Sequence, residues 1–373
     1  MKKQSNKFVQ FFFSVVVLFV ALSCQKNMKG DFPGGGPKGG TDVAPKDLKN
    51  FVQVNLVADN TSYGTQYVDP TLVDARRVVF SPEGSLFVSA GGMGMSNIYN
   101  YDGKTIASAI TIPGPDGKTP GRPTGQVFNP TSDFKLPNGN PAQFIFATAD
   151  GTISGWNSGS SAVTMIDRSS NASFSGIAMM NDGADFFLYI VDFVQNKIDV
   201  YDKNWNPVSK PFIDPDLPTG YSAYNIEALG DGQLYVMYAK KDASGNKETG
   251  PGFGYINVFN PNGTLSKRFA TKGKLNAPSD ITKAPGGFWG EWSQIPNLIL
   301  VANSGDGHIS VFDESGNYLG PLSTKGKAIE IDGLSGITFP PINGLNRYYM
   351  YFAAGPNGGS GGLVGYIKTQ FLN

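Results

Sequence analysis

The chain has 373 residues, among them 48 Gly, 25 Pro and 26 Phe, which supplies a large apolar core and enough turn formers to interrupt it often. Thirty Lys and Arg balance 30 Asp and Glu with no long run of one sign, which removes the electrostatic case for a nucleic-acid partner. A single cysteine excludes an internal disulfide, and a single histidine leaves any zinc site or His-dependent nucleophilic triad resting on His308 alone.

The N-terminus places Lys2, Lys3 and Lys7 before an apolar run from Phe8 to Leu22, which reads as an export signal too short to be a good spanning helix. The order Ala21-Leu22-Ser23-Cys24 resembles a bacterial lipobox. That resemblance implies a signal over residues 1–23 and a lipidated Cys24. It places the protein on a bacterial cell envelope, at the outer membrane, facing the periplasm or the surface, with the membrane itself as a partner through the lipid. Residues 24–47 contain Phe32-Pro33-Gly34-Gly35-Gly36-Pro37, a composition that buries no core, and so predict a flexible tether. The folded domain is predicted over residues 48–373.

From there two phrases alternate six times. The first is an apolar strand: Arg76 to Phe80, Thr124 to Phe128, Ser175 to Met179, Tyr224 to Ala228, Ser279 to Lys283 and Ser335 to Phe339. Counted on Val78, Val127, Ile177, Ile226, Ile281 and Ile337, the repeats lie 49 to 56 residues apart. Each is followed by a second apolar strand, such as Phe144 to Thr148. A third follows of the form Ile-x-x-aromatic-Asp/Asn, such as Ile153-x-x-Trp156-Asn157. Pairs such as Asp102-Gly103, Asp150-Gly151 and Asn262-Gly263 punctuate the strands as hairpin turns do. Short strands at this period predict an all-β, six-bladed β-propeller, a closed ring that protects strand edges. Phe51 to Val57 precedes the first repeat without a partner of its own and is predicted to join the last blade and close the ring.

The string Phe144 to Asn157, with Ile198-Asp199-Val200-Tyr201-Asp202, Asp214 to Tyr221, Gly250 to Gly254 and Tyr351 to Asn357, resembles a family of exported bacterial propellers with no established activity. That family is distantly similar to NHL-repeat and gluconolactonase-type propellers. The resemblance covers nearly all of residues 51–370 and implies the fold. Where the family tends to carry Pro-Trp-Gly before the first strand of several blades, this chain has Ala75-Arg76-Arg77, Pro278-Ser279-Asp280 and Leu334-Ser335-Gly336, so a ligand held by those tryptophans does not carry over.

Equivalent positions in each blade line one channel, so a register read across repeats approximates a surface. The residues opening the innermost strands are Arg76, Thr124, Ser175, Tyr224, Ser279 and Ser335, followed by Arg77, Gly125, Gly176, Asn225, Asp280 and Gly336. Gluconolactonase-type propellers carry carboxylate and carboxamide metal ligands at roughly this ring, whereas hydroxyls and one cation suit a hard metal ion poorly. Arg76, Arg77, Tyr224, Asn225 and Asp280 are the candidate ligand-binding residues at the channel mouth, the arginines offering forks for an anionic group. The first reading is a membrane-anchored module that binds a glycan, small molecule or protein, with no catalytic residues and no cofactor. The alternative is a metal-assisted hydrolase of the lactonase or esterase type in which Asp192, Asn225, Asp280 and Asn303 hold calcium or another divalent cation. A third reading, a scaffold whose channel is plugged by its own side chains, predicts no open pocket. Three longer connections, Gly114 to Gly121, Ser244 to Gly252 and the segment around Phe288-Trp289-Gly290-Glu291-Trp292, are places where a loop reaches a partner.

Overall fold

Each repeat pairs its strands antiparallel in sequence order, because short apolar strands joined by Gly-containing turns zip up with their nearest neighbours. The structure, a computed structural model, describes residues 48–290, 295, 298–341 and 346–370. The signal, Cys24 and the tether lie outside the described residues, as does Trp292.

Six sheets stand as blades. Blade 1 runs Ala75–Phe80, Leu86–Ala90, Met95–Tyr99 and Thr105–Thr111, and blade 2 runs Pro123–Phe128, Phe144–Thr148, Thr152–Trp156 and Val163–Asp167. Blades 3, 4 and 5 begin with the inner strands Phe174–Asp182, Tyr221–Ala228 and Pro278–Lys283, and blade 6 with Leu334–Thr338. The inner strands contact one another in succession and the last returns to the first, so the molecule is a closed six-bladed β-propeller. Phe51–Ala58 pairs antiparallel with Leu363–Thr369 and gives blade 6 its outer strand, the predicted ring closure.

The core lies between blades. Alternation along each second strand sends successive side chains to opposite neighbours. In blade 2, Phe144 and Phe146 pack with Phe87 and Ile98 of blade 1, while Ile145 and Ala147 pack with Ile177 and Ile190 of blade 3. Six such apolar layers, one per junction, are therefore shared around the ring.

Two sequence expectations need correction. The repeat counted on apolar residues slips by one in blade 2, because the residue paired as Val78 is paired is Gln126. Gln126 is fully buried there without loss: Nε2 donates to Phe87 O at 2.7 Å and Oε1 accepts from Ser96 Oγ at 2.8 Å, tying blade 2 to blade 1. The second concerns Phe288 and Trp289, expected in a loop that reaches outward. They are buried in the 3-10 turn Gly286–Trp289 and clamp the closing strand, with the Phe288 ring stacked 5.0 Å from Phe51 and the Trp289 ring edge-on at 5.8 Å.

Candidate functional site

Every inner strand carries a β-bulge at the same place. Pairing skips between Ala75 and Arg77, Pro123 and Gly125, Phe174 and Gly176, Ala223 and Asn225, Pro278 and Asp280, and Leu334 and Gly336. The skipped residues are Arg76, Thr124, Ser175, Tyr224, Ser279 and Ser335. A bulge leaves one residue out of the ladder and re-aims its side chain. All six line a single cavity of about 670 Å³ at the channel mouth, a volume suited to a small molecule.

Two of these hydroxyls serve the ring itself: Thr124 donates to Phe174 O at 2.8 Å and Ser279 to Leu334 O at 3.2 Å, each bridging to the next blade. Ser175 differs. Its Oγ is buried without a protein hydrogen-bond partner, although its residue borders the cavity.

Beside these hydroxyls the lining is cationic. Arg76 Nε sits 2.7 Å from Asp74, and Lys247 Nζ lies 3.2 Å from the Tyr224 hydroxyl and 2.7 Å from Ser304 Oγ. Arg76, Arg77 and Lys247 are the charged residues lining the cavity, with no carboxylate among them. Burial works to raise the Tyr224 phenol, but the neighbouring charges of Lys247 and Arg76 outweigh it and hold the group below its ordinary value. Lys247 comes from the insertion in blade 4, whose short strand Lys247–Glu248 pairs with Leu234–Lys241. The connection Ser244 to Gly252, singled out by its length, thus brings Gly245, Asn246 and Lys247 to the mouth.

Below the mouth the channel is closed by an ion cluster. Arg77 of blade 1 reaches Asp280 of blade 5, Nη1 to Oδ1 at 2.6 Å, and pairs through Nη2 with Glu227 of blade 4. Asp280 also accepts Ile281 N at 2.9 Å and Ile337 N at 2.7 Å, and its side chain is 1% exposed. Asn225 donates to Ser279 O at 2.7 Å and lies 3.5 Å from Asp280 Oδ1. Glycine at position 176 leaves room for it, since a Cβ there would collide with the Asn225 side chain. The plug expected of a pure scaffold is therefore present, but an open cavity stands above it.

Two carboxyls on one buried guanidinium cannot both ionise cheaply. Desolvation pushes Glu227 up to about 8 against the pull of Arg77, and raises Asp280 as well. The folded state therefore holds a proton that the unfolded chain releases near the ordinary carboxyl value. Because the native state binds more protons between that value and about 8, stability falls as pH rises across this window and flattens above it. The slope is at most about 1.4 kcal/mol per pH unit. Urea unfolding from pH 5 to pH 9 should show this decline in the wild type and lose most of it in Glu227→Gln.

Of the sequence-predicted residues, Arg76, Arg77, Tyr224 and Asn225 line the cavity, and Asp280 sits beneath it on Arg77. Of the four metal candidates only Asn225 and Asp280 come together. Asp192 Oδ1 accepts Gln195 N within its own turn and Ser173 N from the segment leading into the inner strand, and Asn303 accepts Asn276 N and donates to Ser310 Oγ. Among the described residues no cluster of three His, Cys, Asp or Glu has the placement of a metal site. His308 stands at the start of blade 5's third strand, 3.7 Å from Asp306 and away from the cavity lining. Glu227 and Lys247 are site residues that the sequence reading missed. The signal for Glu227 was available, since its register is otherwise Val79, Val127, Ala178, Thr282 and Thr338, with no other charge.

This fold and mouth define a six-bladed propeller with a polar, cationic cavity at one end of its channel. The chain belongs to the family of the uncharacterized protein R648 of Acanthamoeba polyphaga mimivirus, to which it is 32% identical over 347 residues, covering 88% of this chain and 83% of the relative. No protein-family model matches it. Among solved structures it is similar to an auxiliary nutrient binding protein from Bacteroides ovatus, with a TM-score of 0.54, 11% identity, and coverage of 86% of this chain and 77% of the other. It is similar also to virginiamycin B lyase from Staphylococcus aureus, with a TM-score of 0.50, 12% identity, and coverage of 85% and 98%. At such identities these likenesses establish the propeller fold. The resemblance drawn from the sequence holds at that level, and the family relative is a viral protein.

Proposed function

We propose that the protein is a binding module whose channel-mouth cavity takes a small anionic ligand. The observation that carries this reading is the convergence of six bulged residues on one cavity whose charged lining is Arg76, Arg77 and Lys247. An anion placed there meets the Arg76 guanidinium, the Lys247 ammonium and the Tyr224 phenol. The same cations repel a divalent metal ion, which needs several oxygen ligands including negative ones. A nutrient-binding role such as that named for the Bacteroides structure is compatible with this chemistry, though the fold likeness alone does not argue for it.

The test is calorimetric titration with small carboxylates at low ionic strength. Arg76→Ala and Lys247→Ala should each weaken binding by about tenfold or more, since a hydrogen bond to a charged group contributes about 1.5–3 kcal/mol. Wild-type affinity retained in both variants would remove the reading.

We also propose that Cys24 is lipidated and tethers the propeller to a membrane through residues 24–47, on the strength of Ala21-Leu22-Ser23-Cys24. In a bacterial host, Cys24→Ser should move the protein from the membrane fraction to the soluble fraction. An unchanged distribution, with no lipid mass on Cys24, would discard the anchor.

A further inference from the structure

We propose that the cavity is selective for a ligand of one negative charge, a small monocarboxylate, because the charged groups in and beneath it sum to a single uncompensated positive charge. This rests on the anion-binding reading above and narrows it. The cations are Arg76, Arg77 and Lys247. Against them stand Asp74 on Arg76, and Glu227 and Asp280 on Arg77. The last two press on one buried guanidinium from blades 4 and 5, so they carry one charge between them and share one proton. Of the charged groups flanking the lining, Arg122 pairs with Asp150 at 2.7 Å, Lys240 pairs with Glu248 at 2.9 Å and Lys241 feels Asp192, while Asp242, which accepts Asn246 N, and Asp332, which accepts Asn357 N, are exposed, so solvent and salt screen their charge from the cavity. One positive charge remains.

A monocarboxylate completes this balance. A dianion would bury a second negative charge with no cation left to meet it, and a neutral isostere would leave the site's cation unmatched. The balance has a pH limit. Glu227 faces Arg77 from blade 1 and Asp280 from blade 5, and when the shared proton leaves, the net charge falls to zero. With Glu227 pushed up to about 8, affinity for a monoanion should drop about tenfold between pH 7 and pH 9. Tyr224, the other titrating group at the mouth, acts in the same direction, and Tyr224→Phe separates the two.

Three matched probes of three carbons test this: lactamide, lactate and malonate, carrying zero, one and two negative charges, titrated into the full chain at constant ionic strength and pH 7, where malonate is almost wholly the dianion. Lactate should bind at least about tenfold more tightly than either of the others. Asp74→Asn adds one net positive charge at a residue whose φ of 55° asparagine tolerates well, and it should shift the preference toward malonate. Glu227→Gln should keep lactate affinity nearly level from pH 7 to pH 9. Malonate binding the wild type as tightly as lactate, or an unchanged lactate-to-malonate ratio in Asp74→Asn, overturns the charge selectivity while leaving an anion site. No binding of either anion overturns both readings together.

Discussion

Deleting residues 48–58 should leave a chain that expresses but fails to remain soluble. Phe51–Ala58 is the outer strand of blade 6, and its removal uncovers the backbone edge of Leu363–Thr369, whose Leu363, Val364 and Ile367 are buried in the ring. An unpaired apolar edge is a template for intermolecular strand addition. The deletion also takes away Phe51 from Phe288 and Trp289, and Leu56 and Val57 from the layer shared by blades 6 and 1. A single large-to-small change in such a core costs about 3–5 kcal/mol for Phe→Ala, of the order of a domain's whole stability when several are combined. Phe51→Ala is the graded version, expected to fold with a melting temperature several degrees lower. Size-exclusion profiles and thermal melts of both variants check this, and a monomeric deletion variant melting with the wild type would show that the ring does not need its N-terminal strand.

Arg77→Ala should be the most damaging single substitution in the channel. Among the described residues its guanidinium is the one cation paired with both Glu227 and Asp280, and their side chains are 14% and 1% exposed. Removing one partner of a buried ion cluster costs about 3–5 kcal/mol, because the remaining charges stay desolvated. Here part of the loss is recovered by protonation, so the variant should be least damaged at low pH and worst above about 8, where Glu227 would otherwise ionise. Urea unfolding at pH 5 and pH 9 measures both. A loss under 1 kcal/mol at each pH would mean that water reaches the carboxyls and that the plug is not closed.

The architecture was legible because it is written in periodicity. Six copies of an apolar strand and of an Ile-x-x-aromatic-Asp/Asn strand fix blade number, and the unpartnered Phe51 to Val57 fixes closure. The mouth was half legible. Aligning repeats named Arg76, Thr124, Ser175, Tyr224, Ser279 and Ser335 as one ring, and the bulge that makes them one appears only in strand pairing. Lys247 was hidden because it arrives on an insertion present in blade 4 alone, so no register comparison aligns it with anything. Asp192 and Asn303 looked like ligands because acceptor-rich residues end strands, and the structure uses Asp192 on its own turn and Asn303 on the neighbouring segment at Asn276. Gln126 misled the count since a buried amide with both ends bonded occupies an apolar position.

An anion site in the bulged ring is located directly by anomalous scattering from a crystal soaked in bromide. The expected result is a peak inside the cavity, within hydrogen-bonding reach of Arg76 or Lys247, that disappears in Arg76→Ala. Bromide found only on surface lysines, with the cavity empty in the wild type, would contradict it.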